Sequence, residues 1–142
     1  MVTQLVGVIQ ESQEAALRLK ADGLSKEIIG AGIEVHRRLG PGLLEFAYEE
    51  CLCCELGLRG IEFKRQLPLP VISKGQKLDC GYRLDMLVED PVIIEVKAIE
   101  EIAPIHEAQL LTYLRLRNSW LGLIMNFNVL MLKDGIRRLV NG

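Results

Sequence analysis

Apolar positions follow a helical spacing in the first part of the chain and form short, strand-like runs in most of the rest. The clearest strand signal is Val92–Ile99, which reads VIIEVKAI between turn residues, as buried strands rich in Val and Ile do. Because side chains alternate between the two faces of a strand, Glu95 and Lys97 lie on the same face. Lys and Glu are rarely buried unless they are paired. The strand therefore carries either an ion pair at a sheet edge or a chemical site.

Two helices are predicted before the strands. Ser25 suits an N-cap, so the first helix is predicted to begin there and to end at the sequence GPG of residues 40–42. The second helix is predicted to begin at about Leu43 and to be ended by Gly57 and Gly60. Glu45 lies near its start, where a carboxylate meets the favourable end of the helix dipole or simply faces solvent. Its predicted apolar side comprises Leu43, Leu44, Ala47, Cys51, Cys54 and Leu58.

Residues 1–22 are interpreted as a separate N-terminal segment, and residues 23–142 as one domain. The segment carries apolar residues at an uneven helical spacing. It is predicted to be a helical arm, which packs on the domain or on a second copy of the chain, or a flexible extension. An arm of this kind is compatible with a homodimer.

Turn signals divide the second half of the chain into strands and one further helix. The predicted strands are Ile61–Gln66, Val71–Ser73 with Lys77–Cys80 as a hairpin, Tyr82–Val88, Val92–Ile99, Trp120–Phe127, and Val129–Leu132 with Ile136–Val140 as a second hairpin around Lys133-Asp134-Gly135. Pro104 suits the first turn of a helix that runs to Arg117. This order predicts an α/β domain around one mixed β-sheet flanked by α-helices.

The composition is that of one globular domain. The chain has 142 residues, of which 49% are hydrophobic and 25% charged, which excludes a disordered protein. No apolar run is long enough for a membrane span and no signal-peptide pattern is visible, so we expect a cytoplasmic protein that does not bind membranes. The four cysteines lack the spacing of a zinc site and are interpreted as reduced thiols.

The formal net charge of −2 argues against a protein that coats nucleic acid by charge alone, but it leaves room for a local basic patch. Basic residues are scattered in pairs: Arg37, Arg38, Lys64, Arg65, Lys74, Lys77, Arg115 and Arg117. Most are interpreted as solvated, and the sequence does not place them on one surface.

Two acidic residues are predicted to meet across a hairpin. If Tyr82–Val88 and Val92–Ile99 pair about the turn between them, Asp85 lies opposite Glu95 on the face that carries Lys97. Like charges directly opposite destabilise a sheet, by about 4 kcal/mol for charges about 4 Å apart at an effective dielectric constant of about 20. A proton, Lys97 or a divalent cation should offset this repulsion. Carboxylates together with water are ligands that suit Mg²⁺ or Mn²⁺.

These residues match a known pattern. Asp85 followed by the sequence EVK of residues 95–97 has the form D…(D/E)-x-K and resembles the PD-(D/E)XK nuclease superfamily. The sequence GLLEFAY of residues 42–48 resembles, more closely, the small bacterial and archaeal proteins of the GxxExxY family. The sequences VHRRLGPG of residues 35–42 and HEAQLLTY of residues 106–113 resemble that family too. The resemblance covers nearly everything but the N-terminal segment.

The resemblance implies a restriction-endonuclease-like core and a site for Mg²⁺ or Mn²⁺. In the superfamily, the metal is held by a helix glutamate, the hairpin aspartate and the first acid of the motif, which map to Glu45, Asp85 and Glu95. The Val96 carbonyl is a further candidate ligand. Lys97 would orient or deprotonate the attacking water, or stabilise charge on the phosphate. The implied substrate is nucleic acid.

Other family positions map to a helix and to two histidines. The Q-x-x-x-Y pattern of exonuclease-like members maps to Gln109 and Tyr113, which would position the metal site or the nucleic-acid backbone. His106 is a candidate for an indirect role or a phosphate contact. His36 either caps a helix, sits in the core or takes part in the chemistry. Tyr48 either packs or forms a hydrogen bond near Glu45, one turn away.

One departure from the pattern is Leu84, which stands where a proline usually precedes the aspartate. The superfamily often varies at this position, so the difference does not imply loss of activity.

Three hypotheses follow from the sequence. The first, which we favour, is a metal-dependent nuclease that acts on DNA or RNA. The second is a catalytically silent nucleic-acid-binding or accessory module of the same fold. The third is a structural or interaction domain whose charges form ion pairs.

Overall fold

The computed structural model describes residues 2–142, which form a five-stranded sheet, a separate two-stranded sheet and three α-helices. In chain order the elements are α1 (Val2–Leu39), α2 (Glu45–Leu58), β1 (Phe63–Pro68), β2 (Val71–Ser73), β3 (Gln76–Leu78), β4 (Arg83–Val88), β5 (Val92–Lys97), α3 (Pro104–Arg117), β6 (Leu121–Asn126), a 3₁₀ turn (Leu132–Gly135) and β7 (Ile136–Val140).

The main sheet is mixed, as predicted, with the strand order β1-β4-β5-β6-β7. β5 and β6 are parallel because α3 carries the chain back across the sheet, and the other neighbouring strands are antiparallel. Met86 pairs with Ile94 and Val88 with Val92, which confirms the predicted register of the β4–β5 hairpin. β1 lies at the edge of the sheet and contains Pro68, which an edge strand tolerates because it needs no hydrogen-bond donor on its outer side.

Each face of the sheet packs against helices. α1 and α2 cover one face, where Ile28, Leu52, Leu56 and the strand residues Met86, Ile94 and Leu123 form one core cluster. α3 covers the other face, where Leu110, Tyr113 and Leu114 pack with Leu87, Ile93 and Ile124. β5 is buried from Val92 to Val96, so the strand that carries the predicted site runs through the centre of the molecule.

The first helix is longer than predicted. α1 runs without a break from Val2 to Leu39, and the predicted N-cap Ser25 lies inside it, with its hydroxyl donating to the Asp22 carbonyl at 2.8 Å. The prediction of a helix start was wrong because serine also forms such backward hydrogen bonds within a helix and no proline separates the two segments. Residues 2–20 of α1 are almost entirely exposed. No helix of residues 2–142 combines the length and apolar character needed to cross a membrane.

The buried side of α2 also differs from the prediction. Its buried residues are Tyr48, Glu49, Leu52, Cys53 and Leu56, whereas Leu44 and Leu58, which were predicted to be buried, are 81% and 79% exposed. α2 carries apolar residues on several sides, so spacing alone fits more than one stripe. The Tyr48 ring stacks on the Phe127 ring with 4.7 Å between centroids, and this contact places the observed stripe against the sheet.

The predicted C-terminal hairpin was wrong. Residues 129–131 form no strand, Leu132–Gly135 is a 3₁₀ turn, and β7 pairs with β6. The Asp-Gly sequence was interpreted as a hairpin turn, but Gly135 serves a close approach instead. A Cβ atom on Gly135 would lie 2.1 Å from the Asn126 carbonyl oxygen, so only glycine fits at this position.

Candidate acid and lysine site

Asp85 and Glu95 lie side by side at the end of the β4–β5 hairpin. The backbone pairing of the two strands stops at Met86 and Ile94. Beyond it, the Asp85 carboxylate accepts a hydrogen bond from the Val96 N–H at 2.8 Å, and the Asp85 N–H approaches Glu95 Oε1 at 3.5 Å. The Asp85 side chain thus takes the place of a strand partner, which fixes its carboxylate next to Glu95.

The Glu95 side chain is only 7% exposed, and its surroundings favour the protonated form. Burial, followed by the charge of Asp85 and a hydrogen bond with the Asp85 carboxylate, raises the pKa of Glu95 to about 9, although the charge of Lys97 acts in the opposite direction. Without a cation, the pair of acids therefore carries a proton at neutral pH.

Glu45 approaches the two acids from α2, of which it is the first residue. Burial raises the pKa of Glu45, the charge of Lys97 lowers it and the charge of Asp85 raises it again. These effects show that the Glu45 carboxylate lies within electrostatic reach of both side chains, although it is itself largely exposed. The helix start, the hairpin and the end of β5 therefore converge on one place.

α3 lies next to the site, on the face of the sheet opposite to α1 and α2. The Gln109 side-chain amide donates a hydrogen bond to the Tyr113 hydroxyl at 2.8 Å. Tyr113 is 6% exposed, and burial followed by the charge of Glu95 raises the pKa of its hydroxyl. The Tyr113 hydroxyl is therefore within electrostatic reach of Glu95, with Gln109 one turn before it.

The donor set fits a hard divalent cation in its chemistry. Carboxylate oxygens of Asp85 and Glu95, with Glu45 nearby, are the ligands that Mg²⁺ and Mn²⁺ prefer. Within residues 2–142, no three His, Cys, Asp or Glu side chains are gathered closely enough to enclose an ion, because the Asp85 carboxylate is directed at Val96 and at Glu95. Binding of a cation would therefore require these side chains to turn.

Comparison with known families decides which kind of protein carries this arrangement. A family model described as the PD-(D/E)XK nuclease superfamily matches residues 22–139. The chain belongs to the PD-(D/E)XK nuclease superfamily. Its mixed sheet between helices is accordingly a restriction-endonuclease-like fold. Nucleases of this superfamily generally use divalent metal ions, and membership implies a nucleic-acid substrate. Neither the curated proteins nor the solved structures contained a match to the chain.

Within this nuclease-superfamily domain, Tyr48 holds the loop that precedes Glu45. Its hydroxyl donates to the Gly40 carbonyl at 2.6 Å and accepts from the Leu43 N–H at 3.1 Å. The loop turns sharply, since Gly40 and Gly42 have φ angles of 67° and 102°, which glycine adopts with little strain. Tyr48 therefore fixes the loop that leads into Glu45.

The two histidines bind backbone groups. His36 is 7% exposed, and its Nε2 lies 2.7 Å from the Val129 carbonyl oxygen, a contact that joins the end of α1 to the loop after β6. His106 accepts the Ala103 N–H through Nδ1 at 2.8 Å, which caps the start of α3. These contacts explain both residues structurally, and a chemical role for either stays a prediction.

Sequence reasoning missed Asn126, which holds the segment after Lys97. Its side chain accepts a hydrogen bond from the Ile99 N–H at 3.0 Å and donates one to the Ile99 carbonyl at 3.0 Å. Asn126 is 2% exposed. A single asparagine that ends an otherwise apolar strand was the available signal, because a buried amide needs partners.

Sequence reasoning also missed Glu49, one turn after Glu45 on α2. Glu49 is 5% exposed, and its carboxylate accepts hydrogen bonds from Arg65 at 2.6 Å and from Gln66 at 2.9 Å. The pair of Glu49 and Arg65 ties α2 to the edge strand β1. It thereby fixes the helix whose first residue is Glu45.

Proposed function

We propose that the protein is a divalent-metal-dependent nuclease that hydrolyses phosphodiester bonds of DNA or RNA. The observation that carries the proposal is the pair formed by the half-buried Asp85 and the buried Glu95, with Lys97 two residues further along β5, in a chain that belongs to a nuclease superfamily. Two neighbouring carboxyl groups of this kind lower the stability of a domain. Their presence together therefore indicates a functional reason. A metal-dependent reaction on a phosphodiester is the purpose that agrees with the family.

In this proposal Glu45, Asp85, Glu95 and the Val96 carbonyl hold Mg²⁺ or Mn²⁺. A bound ion would supply charge neutralisation at the phosphorus and a more acidic water. Glu95 releases its proton to become a ligand, because metal ligands bind in their deprotonated form. Lys97 orients the attacking water or stabilises the charge on the phosphate.

We further propose that, within the superfamily, the chain belongs to the GxxExxY group. The proposal is supported by the way in which the three positions of that pattern act together. Gly42 allows the sharp turn before α2. Glu45 begins α2 and faces Asp85 and Glu95. Tyr48 binds the loop that contains Gly42, at the carbonyl of residue 40 and the N–H of residue 43. Gln109 and Tyr113 position the metal site from α3 in the same proposal, through the hydrogen bond that joins them.

A second candidate is a nucleic-acid-binding module of the same fold without turnover. The observation that favours it is the closed arrangement of the acids, in which Glu95 is buried and Asp85 is bonded to Val96. In that case the protein would bind nucleic acid, and the acids would remain paired when Mg²⁺ is added.

The test of the proposed function is a cleavage assay on labelled single- and double-stranded DNA and RNA. We expect cleavage of at least one substrate in Mg²⁺ or Mn²⁺ and none in chelator, because phosphodiester cleavage without the ion lacks charge neutralisation at the phosphate. Cleavage that persists in chelator would contradict the metal dependence. Binding without cleavage in either metal would favour the silent module.

We also propose that the chain forms a homodimer through the N-terminal part of α1. In this part of α1, one set of exposed residues follows the alternating three- and four-residue spacing that is typical of helix pairs. The set comprises Val2, Leu5, Ile9, Ser12, Ala16 and Leu19.

Light scattering tests the dimer. It is expected to give a dimer mass for the wild type and a monomer mass for Leu5→Gln/Ile9→Gln. Thr3→Gln, on another side of the helix, should remain dimeric. A monomeric wild type would refute the dimer.

A cytoplasmic location stays a prediction. It is supported by the four cysteines, which are free in the structure and of which Cys54 and Cys80 are exposed, as is usual for thiols in a reducing compartment.

A further inference from the structure

The β2–β3 hairpin, residues 71–78, extends from the same end of the main sheet as the acid and lysine site. The Leu69 N–H donates to the Tyr82 carbonyl at 2.8 Å, which continues the β1–β4 pairing to the base of the hairpin. β4 is antiparallel to β5 and therefore begins at the end where β5 reaches Lys97. The Tyr82 ring lies 6.2 Å from the Tyr113 ring, measured between centroids. The base of the hairpin thus adjoins the site.

The hairpin region is positively charged although the chain as a whole is not. Residues 63–83 contain five basic residues and one acidic residue, whereas the net charge of the chain is −2. Residues 72–81 are all exposed. Lys74 and Lys77 form no ion pair with any residue in the described part of the chain, 2–142. Both ammonium groups are therefore free to meet a polyanion.

The tip of the hairpin contains a lysine where folding alone favours another residue. Lys74 and Gly75 are the two turn residues and have φ angles of 50° and 77°, as in the tight turn that prefers Asn-Gly. A lysine in this left-handed conformation is strained, because its Cβ atom approaches the following carbonyl oxygen. A residue held in such a conformation points to a function, and a lysine at an exposed tip supplies a positive charge.

We propose that the β2–β3 hairpin is a DNA-contacting arm, in which Lys74 and Lys77 bind backbone phosphates of a DNA duplex next to the acid and lysine site. This inference rests on the proposed nuclease function and narrows its substrate class. A two-stranded ribbon fits the major groove of B-DNA. The major groove of an RNA duplex is too deep and narrow for such a ribbon, so the arm suits DNA.

The test is the binding of a short fluorescein-labelled DNA duplex to the full chain, measured by fluorescence anisotropy in chelator at several salt concentrations. The variant is Lys74→Asn/Lys77→Gln, because asparagine favours the same turn and the variant loses two positive charges. We expect its Kd to rise about tenfold or more, and the slope of log K against log salt to shrink by about 2, since each phosphate contact contributes about 0.9.

The matched control is Lys26→Gln/Arg115→Gln, which removes two exposed positive charges that likewise form no ion pair within residues 2–142. Arg115 lies in the last turn of α3, close to Arg117, which binds Asp90 at the other end of the sheet. We expect the control to bind the duplex as the wild type does. Equal weakening in both variants, or no weakening in the hairpin variant, would overturn the proposal.

Two further measurements separate this inference from the proposed function. Tighter binding of an RNA duplex than of the DNA duplex would overturn the assignment to DNA.

The second measurement is cleavage of the duplex in Mn²⁺, made beside the binding measurement. Cleavage by the wild type without any effect of the hairpin variant on binding would refute the arm and leave the nuclease intact. Hairpin-dependent binding without cleavage would refute the nuclease and leave the arm intact.

Discussion

Replacing Lys97 with alanine is expected to lower metal-dependent cleavage about 10²–10⁴-fold, the range typical for loss of a group that transfers a proton or stabilises transition-state charge. Lys97 is half-buried at the end of β5. It forms no ion pair with the residues that the structure describes, yet its charge lowers the pKa of both Glu45 and Glu95. The ammonium group is therefore close to the acids without being neutralised by one of them.

The measurement must separate a role in the reaction from a role in metal binding. Without Lys97 the pKa of Glu95 rises further, since the charge of Lys97 opposes the effect of burial, and metal affinity at a fixed pH falls. Cleavage is therefore measured in saturating Mn²⁺ at high pH, where Glu95 is deprotonated. We expect the loss to persist there. Full recovery would mean that Lys97 acts only on the acids.

Lys133→Ala serves as the matched control, because Lys133 is an exposed lysine on the 3₁₀ turn. The Lys133→Ala variant should cleave nucleic acid at the wild-type rate. Equal cutting by the wild type and Lys97→Ala under all conditions would contradict a role for Lys97 and would indicate a contaminating nuclease.

Most of the sheet could be predicted because local signals and packing agree there. Val92–Val96 is buried on both faces, and such a strand is recognisable as a nearly continuous apolar run. The turn before it fixed the register of the β4–β5 hairpin, and the proline at position 104 fixed the start of α3. Where one sequence feature admits two physical uses, as at Ser25 and Gly135, the prediction failed.

The two acids of the site could also be predicted from local signals. The polar residues that hold the surrounding segments in place could not. The register of the hairpin alone brings Asp85 to Glu95. The partners of Asn126 and Glu49 belong to segments that meet only in the folded chain. No local sequence pattern indicates such contacts. This explains why Asn126 and Glu49 were missed although the two acids were predicted.

The position of Glu95 in the core links the fold to the site. A carboxyl group is costly to bury unless it is protonated or compensated, and Val92–Val96 is buried along its whole length. The apolar residues of β5 thus provide the stability that allows Glu95 and Asp85 to lie together. This arrangement predicts that the acids reduce the stability of the metal-free protein.

Glu95→Gln is accordingly expected to raise the free energy of unfolding in chelator at pH 8 by about 2–4 kcal/mol, since one unit of pKa shift corresponds to about 1.4 kcal/mol. The pKa of Glu95 is raised to about 9 from the ordinary value of 4.5. Between these values the folded state binds more protons than the unfolded state. The stability of the wild type should therefore fall as the pH rises from about 4.5 towards 9, and Glu95→Gln should remove this slope.

The measurement is denaturant unfolding of the wild type and the variants at pH 6 and pH 8.5, with chelator and with Mn²⁺. Asp85→Asn should also be at least as stable as the wild type in chelator, because it removes the same repulsion. Glu100→Gln, an exposed acid outside the pair, should behave as the wild type does. In Mn²⁺ the wild type should gain stability and Glu95→Gln should not, because only the carboxylate is a ligand. A large loss of stability in both acid variants in chelator would show that the acids stabilise the fold, and the clustered-acid site would have to be abandoned.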